Sequence, residues 1–270
     1  MGGLGKTTLA KKILGDVSHF KRHALVTVSQ TLKEDEFFMD IIQQLFPRET
    51  SEMQQLPGYL QKERLRERLV DDSYLIVVDD VWEIIHWDQI KVTFPKNNHG
   101  SRVVVTTRKE LVARHSTKEY NGHVNQLKPL SKSDSWDLFC MKTFPSRGCP
   151  SNLEPIYQDI IHGKCRGVPV AILAINGLLA TLDEYKVEEW EMVQERLDLE
   201  LKDHLEITKK ILSLSFDDLL DPLKPCYIYL SVFLEDYEME WGNVIRLWIS
   251  EGLVERRSRT LNHLKSTKHS

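Results

Sequence analysis

The stretch MGGLGKTTLA, residues 1–10, sets three glycines around one leucine ahead of a lysine, two threonines and a run that can coil. Glycines let backbone N–H groups turn inward and approach an anion closely. A helix start behind them adds partial positive charge at the same place. The phosphate-loop pattern is G-x-x-x-x-G-K-[ST], and Gly2, Gly3, Leu4, Gly5, Lys6, Thr7 and Thr8 match it, with the first glycine falling one position before Met1. In that pattern Lys6 reaches the β- and γ-phosphates and the Thr7 hydroxyl sits on Mg²⁺. Alone, a glycine-rich turn before a helix is also compatible with nothing more than a turn.

A second stretch strengthens the phosphate reading. YLIVVDD (Tyr74–Asp80) is an apolar run ending in two acids, which predicts a strand buried on both faces. Ligands of parallel α/β sheets gather at strand C-termini. There Asp79 can hold Mg²⁺ and Asp80 can orient an attacking water as the catalytic acid-base group. The bland alternative is a solvated acidic turn. RVVVTTR (Arg102–Arg108) is a further strand candidate, and Arg108 at its end can meet a γ-phosphate in two-point fashion, or be an ordinary surface arginine.

Around these motifs the first 127 residues alternate between the two element types. Helices are predicted over 7–14, 34–46 and 56–70, and strands over 23–28, 74–80 and 102–107. Buried strands alternating with helices imply a parallel sheet, hence an α/β nucleotide-binding domain over 1–127. After that, SKSD (Ser131–Asp134) opens a run of helices, with candidates over 153–164, 168–180, 187–197, 207–214, 223–233 and 241–251. Residues 128–200 read as a helical domain and 201–254 as a partial further domain. Residues 255–270 read as a basic, disordered tail.

Bulk properties narrow the classes. With 41% hydrophobic and 28% charged residues the chain reads as globular, and its net charge of -4 argues against general nucleic-acid binding. Cys140, Cys149, Cys165 and Cys226 form no C-x-x-C pair, so neither zinc nor a disulfide framework is suggested and a reducing compartment fits. No signal peptide is legible, and VPVAILAINGLLA (Val168–Ala180) is too short for a transmembrane segment.

These residues in this order resemble the NB-ARC module of plant disease-resistance proteins, which is shared with apoptotic adaptor ATPases. The resemblance covers residues 1 to about 254. GGLGKTTLA is similar to the family's phosphate loop, YLIVVDDVW to its Walker B segment and GSRVVVTTR to its sensor segment. CRGVPVAILAINGLLA is similar to the Gly-Leu-Pro-Leu segment, and CYIYLSVFLEDYEMEWGNVIRLWISEGLV to the winged-helix segment.

The resemblance implies a P-loop domain, a helical bundle and a winged helix that close over ADP and open on exchange for ATP with Mg²⁺. That is an adenine-nucleotide switch in a cytoplasmic immune receptor signalling defence, with at most slow ATP hydrolysis. It implies an N-terminal coiled coil, of the class marked by Trp82 in DDVW, C-terminal leucine-rich repeats and self-association as partners. By analogy Pro169 packs near the adenine, although simple helix initiation explains a proline there equally well.

Departures are visible. GVPV replaces the usual leucines, and Leu25 and Leu234 stand where the family often has Trp and Pro. A Met-His-Asp motif is not found, and the strand feeding the phosphate loop is missing ahead of Met1, which leaves the winged helix and the sheet truncated in this reading. The strands around Val77 and Val104 are therefore expected to lack ladder partners, with weak ADP binding and poor solubility as consequences. Two other functions stay open: a P-loop ATPase acting as an enzyme, and an interaction fragment that has lost nucleotide affinity.

Overall fold

The computed structural model describes residues 2–15, 19–144, 154–179, 187–200, 210, 213, 216–217, 219–233 and 239–254. The chain divides into two compact units, Met1–Leu127 and Lys128–Ser270.

The first unit is built on three parallel strands, β1 (Arg22–Thr27), β2 (Tyr74–Asp79) and β3 (Arg102–Val105), in the order β1-β2-β3. Helix α1 (Lys6–Gly15) lies against β1 and β2. Between β1 and β2 come α2 (Glu34–Leu45), the short α3 (Thr50–Met53) and α4 (Gly58–Val70). Helices α5 (Ile84–Lys91) and α6 (Glu110–Lys118) follow β2 and β3 and pack on each other.

Local sequence explains most of this. In α2, Phe37, Phe38, Ile41, Ile42 and Leu45 recur at helical spacing and are all buried, while Glu34, Asp35 and Glu36 sit at the positive end of the helix. Ile41 and Ile42 have no exposed surface, so each contributes about 1.5–3 kcal/mol relative to an exposed side chain. All six residues of β2 are buried, as expected of a central parallel strand. In β1 burial alternates: Ala24 and Val26 join the same core as Ile76 and Val78, while Leu25 and Thr27 face the other side.

The strand around Val77 does not lack a partner. It is flanked by β1 through Leu25 and by β3 through Val104. Among the described residues the outer strands are β1 and β3, and Val103, Val104 and Val105 on β3 are half-buried. Helices α3, α5 and α6 are additions to the elements named from sequence. The patterns of the latter two are blurred: Ile84 and Ile85 in α5 and Leu111 in α6 point to solvent, and α6 buries only Val112 and Ser116.

The second unit is helical where described. Helix α7 (Lys132–Thr143) starts at Ser131, whose Oγ accepts from the Asp134 N–H at 3.0 Å and donates to the Asp134 carboxylate at 2.6 Å. A five-residue helix, α8 (Glu154–Gln158), continues as π-helical turns over Asp159–Cys165. Then come α9 (Pro169–Leu179) and α10 (Val187–Glu200). Their core packs Tyr157 at a tilt against Phe139 and edge-to-face against Trp190, with ring centroids 4.9 and 4.7 Å apart. A separate small core joins Cys226 to Val244 and Trp248. Met1, Cys149, the loop with Pro145, Gly148 and Pro150, most of the 207–214 helix candidate, Leu234 and residues 255–270 lie outside the described residues.

Candidate functional site

The glycine loop leads directly into α1. Gly3 and Gly5 have φ of 73° and 86°, a left-handed backbone that side chains resist. A Cβ built at Gly2 or Gly5 would meet nothing within 4 Å, so the surroundings of the loop are open and it is conformation, not crowding, that calls for glycine at position 5. The first turn of α1 carries no acid of its own, which leaves its partial positive end to groups from elsewhere in the fold. Lys6 and Leu4 are half-buried, and Gly2, Gly3, Thr7 and Thr8 are exposed.

The two acids meet this loop from the end of β2. Asp79 is the last strand residue and is buried, with only 2% of its surface exposed. Its Oδ2 accepts from the Thr7 hydroxyl at 2.7 Å, and its Oδ1 accepts from the Thr106 hydroxyl at 2.6 Å. A loop residue is thus tied to an acid 72 residues away in the chain. The next residue, Asp80, leaves the strand with φ of 54°, a strained conformation for a residue with a Cβ. Its N–H donates to Thr106 Oγ1 at 2.9 Å. Its carboxylate receives Arg108 in two-point fashion, Nε to Oδ1 at 3.2 Å and Nη2 to Oδ2 at 2.8 Å. The Arg108 guanidinium also lies over the Trp82 ring, 4.8 Å from its centroid.

Backbone pairing sets these positions. The Thr106 N–H donates to Val78 O at 3.0 Å and the Val81 N–H donates to Thr106 O at 2.9 Å, so β2 and β3 stay in register past their last strand residues. Thr107 Oγ1 donates to Val81 O at 2.7 Å and accepts from the Lys109 N–H at 3.1 Å, which turns the chain toward α6.

The structure therefore brings together Thr7, Asp79, Asp80 and Arg108, on the side of the sheet where the loop leads into α1. Pro169 belongs to the second unit, where it opens α9 at a position that needs no N–H donor. It follows Arg166 and Gly167, both left-handed. The Leu130 N–H donates to Gly167 O at 2.7 Å, and a Cβ on Gly167 would come 2.4 Å from Leu130 O, so this turn admits only glycine. Two contacts escaped the sequence reading. Thr106 was legible only as one of two hydroxyls at a strand end, and Trp82, read through the resemblance as a mark of the coiled-coil class, was not placed against Arg108.

The donor set suits a hard cation. A hydroxyl and a carboxylate oxygen in contact are the chemistry Mg²⁺ accepts. Among the described residues no cluster of three or more His, Cys, Asp and Glu side chains forms. A cation on Thr7 and Asp79 would therefore complete its shell with water and ligand oxygens, as Mg²⁺ does beside phosphates. Among the described residues, no helix is long and apolar enough to cross a membrane.

Comparison with known proteins adds to this geometry. The family model described as the NB-ARC domain matches residues 1–149. Disease resistance protein RPM1 of Arabidopsis thaliana is 34% identical, over 94% of this chain and 28% of its own length. Disease resistance protein RPP13 of Arabidopsis thaliana is also 34% identical, over 94% of this chain and 31% of its own length. The ToMV susceptible protein tm-2 of Solanum lycopersicum is 32% identical, over 94% of this chain and 29% of its own length. The chain thus spans under a third of the length of these relatives.

Proposed function

From the premise that this chain belongs to the NB-ARC family, we propose that it is an adenine-nucleotide switch, binding ADP or ATP with Mg²⁺, within a plant defence receptor. The observation that carries the reading is the contact between Thr7 and Asp79, which puts the helix-opening hydroxyl against the acid at the strand end. Gly2, Gly3, Leu4 and Gly5 wrap the phosphates, Lys6 neutralises them, Thr8 lies beside them, and Thr7 with Asp79 holds the metal. When bound, Mg²⁺ supplies charge neutralisation between the phosphates. Asp80 orients the attacking water and Arg108 senses the γ-phosphate.

A switch suits this site better than a fast hydrolase. Asp80 is already occupied by Arg108, so neither side chain is free for chemistry until the pair opens. Hydrolysis is accordingly slow. A third nucleotide phosphate offers Arg108 a competing anion, which gives two states biased by one ligand group.

Three parts carry the switch: a nucleotide domain over 1–127, a helical domain over 128–200 and a partial winged helix over 201–254. The separate small core of Cys226, Val244 and Trp248 supports the last division. Working partners are a coiled coil, leucine-rich repeats and further copies of the chain. The cytoplasm is the working compartment, and nucleic acid is not a ligand.

Purified protein is tested by releasing and identifying bound nucleotide, and by titrating ADP and ATP with and without Mg²⁺. Retained ADP, Mg²⁺-dependent affinity and turnover that does not rise with candidate phosphate acceptors are expected. Absence of any adenine-nucleotide binding overturns the reading, and acceptor-stimulated turnover favours an enzyme.

A further inference from the structure

We infer that Thr106 is a positioning residue that couples the two acids, holding the Asp79 carboxylate for the metal and the Asp80 backbone in its left-handed turn through one hydroxyl. A threonine hydroxyl has a single proton to donate and lone pairs to accept with. Here the proton goes to Asp79 Oδ1 at 2.6 Å and a lone pair takes the Asp80 N–H at 2.9 Å. Thr106 is itself buried and its backbone is tied to β2 on both sides, to Val78 O and to the Val81 N–H. The pairing fixes the Thr106 backbone, and its burial with the two bonds of the hydroxyl fixes the side chain.

The consequence is a division of the Asp79 carboxylate. Thr106 holds one oxygen, while the other faces Thr7 on the glycine-loop side. A ligating carboxylate fixed by an outer hydrogen bond presents its other oxygen in one orientation, and removing such a partner weakens metal affinity. The same hydroxyl satisfies the N–H of Asp80, whose strained φ needs surrounding bonds to persist. Asp80 in turn fixes Arg108. One residue that touches no ligand thus sets the orientation of the metal-facing acid, the turn and the arginine.

The inference rests on the nucleotide reading above, and two measurements separate their failures. Thr106→Val keeps shape and removes both bonds, and Thr106→Ser keeps both. In the full chain, ADP affinity is measured with and without Mg²⁺, and amide hydrogen exchange at Asp80 is followed by NMR without nucleotide. The valine variant is expected to lose about tenfold or more of the Mg²⁺-dependent gain in affinity, to keep its metal-free affinity, and to exchange the Asp80 amide several-fold faster. Serine restores both. An unchanged Asp80 exchange rate in Thr106→Val, or an unchanged Mg²⁺ gain, overturns the inference. If the native chain binds no nucleotide, the switch reading fails, and the exchange comparison alone decides the role of Thr106.

Discussion

Arg108 closes on Asp80 with two hydrogen bonds, at 3.2 and 2.8 Å, so the arginine at the end of β3 and the acid after β2 neutralise each other. Planar guanidinium and carboxylate match in this arrangement, and the pair is worth more than a single exposed contact. Asp80 is buried, whereas nearly half of the Arg108 side chain is exposed. A ligand anion can therefore reach the arginine from the solvent side.

Asp80→Asn weakens the hold on Arg108 and should raise affinity for ATP relative to ADP by several-fold, while slowing hydrolysis. Arg108→Ala should do the reverse, weakening ATP more than ADP. It should also cost about 1–3 kcal/mol of stability, because a buried carboxylate loses its partner. Calorimetric titration of both nucleotides and chemical unfolding check these outcomes. An ATP-to-ADP ratio that moves in neither variant would sink the competition between acid and phosphate.

Lys6→Ala should remove most nucleotide affinity while leaving the fold intact, since Lys6 is half-buried at the start of α1 and belongs to no core cluster. A loss of about 100-fold corresponds to some 2.7 kcal/mol. The melting temperature is the simplest readout: ADP should raise it in the native chain by mass action and should not in the variant. Equal shifts in both would remove Lys6 from the site.

Trp82 supports Arg108 by its ring face alone. The Trp82 indole N–H is buried and has no hydrogen-bond partner among the described residues. Trp82→Phe therefore sacrifices no hydrogen bond and should nearly preserve the ATP-to-ADP preference. Trp82→Leu forfeits the cation–π contact, typically about 0.5–2 kcal/mol, and should shift that preference by a few-fold. Identical behaviour of the two variants would assign Trp82 to packing only.

At alkaline pH the sheet should report on Tyr74, whose hydroxyl donates to Pro95 O at 2.6 Å at the start of β2. Burial, with a smaller contribution from Tyr120, pushes its phenol up to about 12. The folded value lies above the ordinary value near 10, so its contribution is complete below about pH 10 and is lost as pH rises toward 12. Stability of the native chain should fall across that window, and Tyr74→Phe should flatten the slope. Chemical unfolding at a series of pH values measures it, and equal slopes would exclude Tyr74 as the source.

The sequence alone determined where a glycine loop turns into a helix, the acid-bearing strand and helices described in the second unit. Each of these is written in a short, local pattern: glycines before Lys6, an apolar run ending at Asp79, helical spacing in α2. The position of β2 was legible because its continuous burial leaves an unbroken apolar run, and those of β1 and β3 because short β-branched, apolar runs mark them. Helices α5 and α6 were not, since outward-facing Ile84, Ile85 and Leu111 break the pattern that marks a buried stripe. Only tertiary structure decided that β2 is central, with Val77 beside Val104, because strand order depends on pairing between segments far apart in the chain. It likewise decided that Arg108 lies on Asp80 and that Thr106 bridges both acids. Hydroxyls and guanidinium groups occur throughout the sequence. What selects these two is the parallel register that carries the ends of β2 and β3 to one place, where burial makes every unpaired polar group costly.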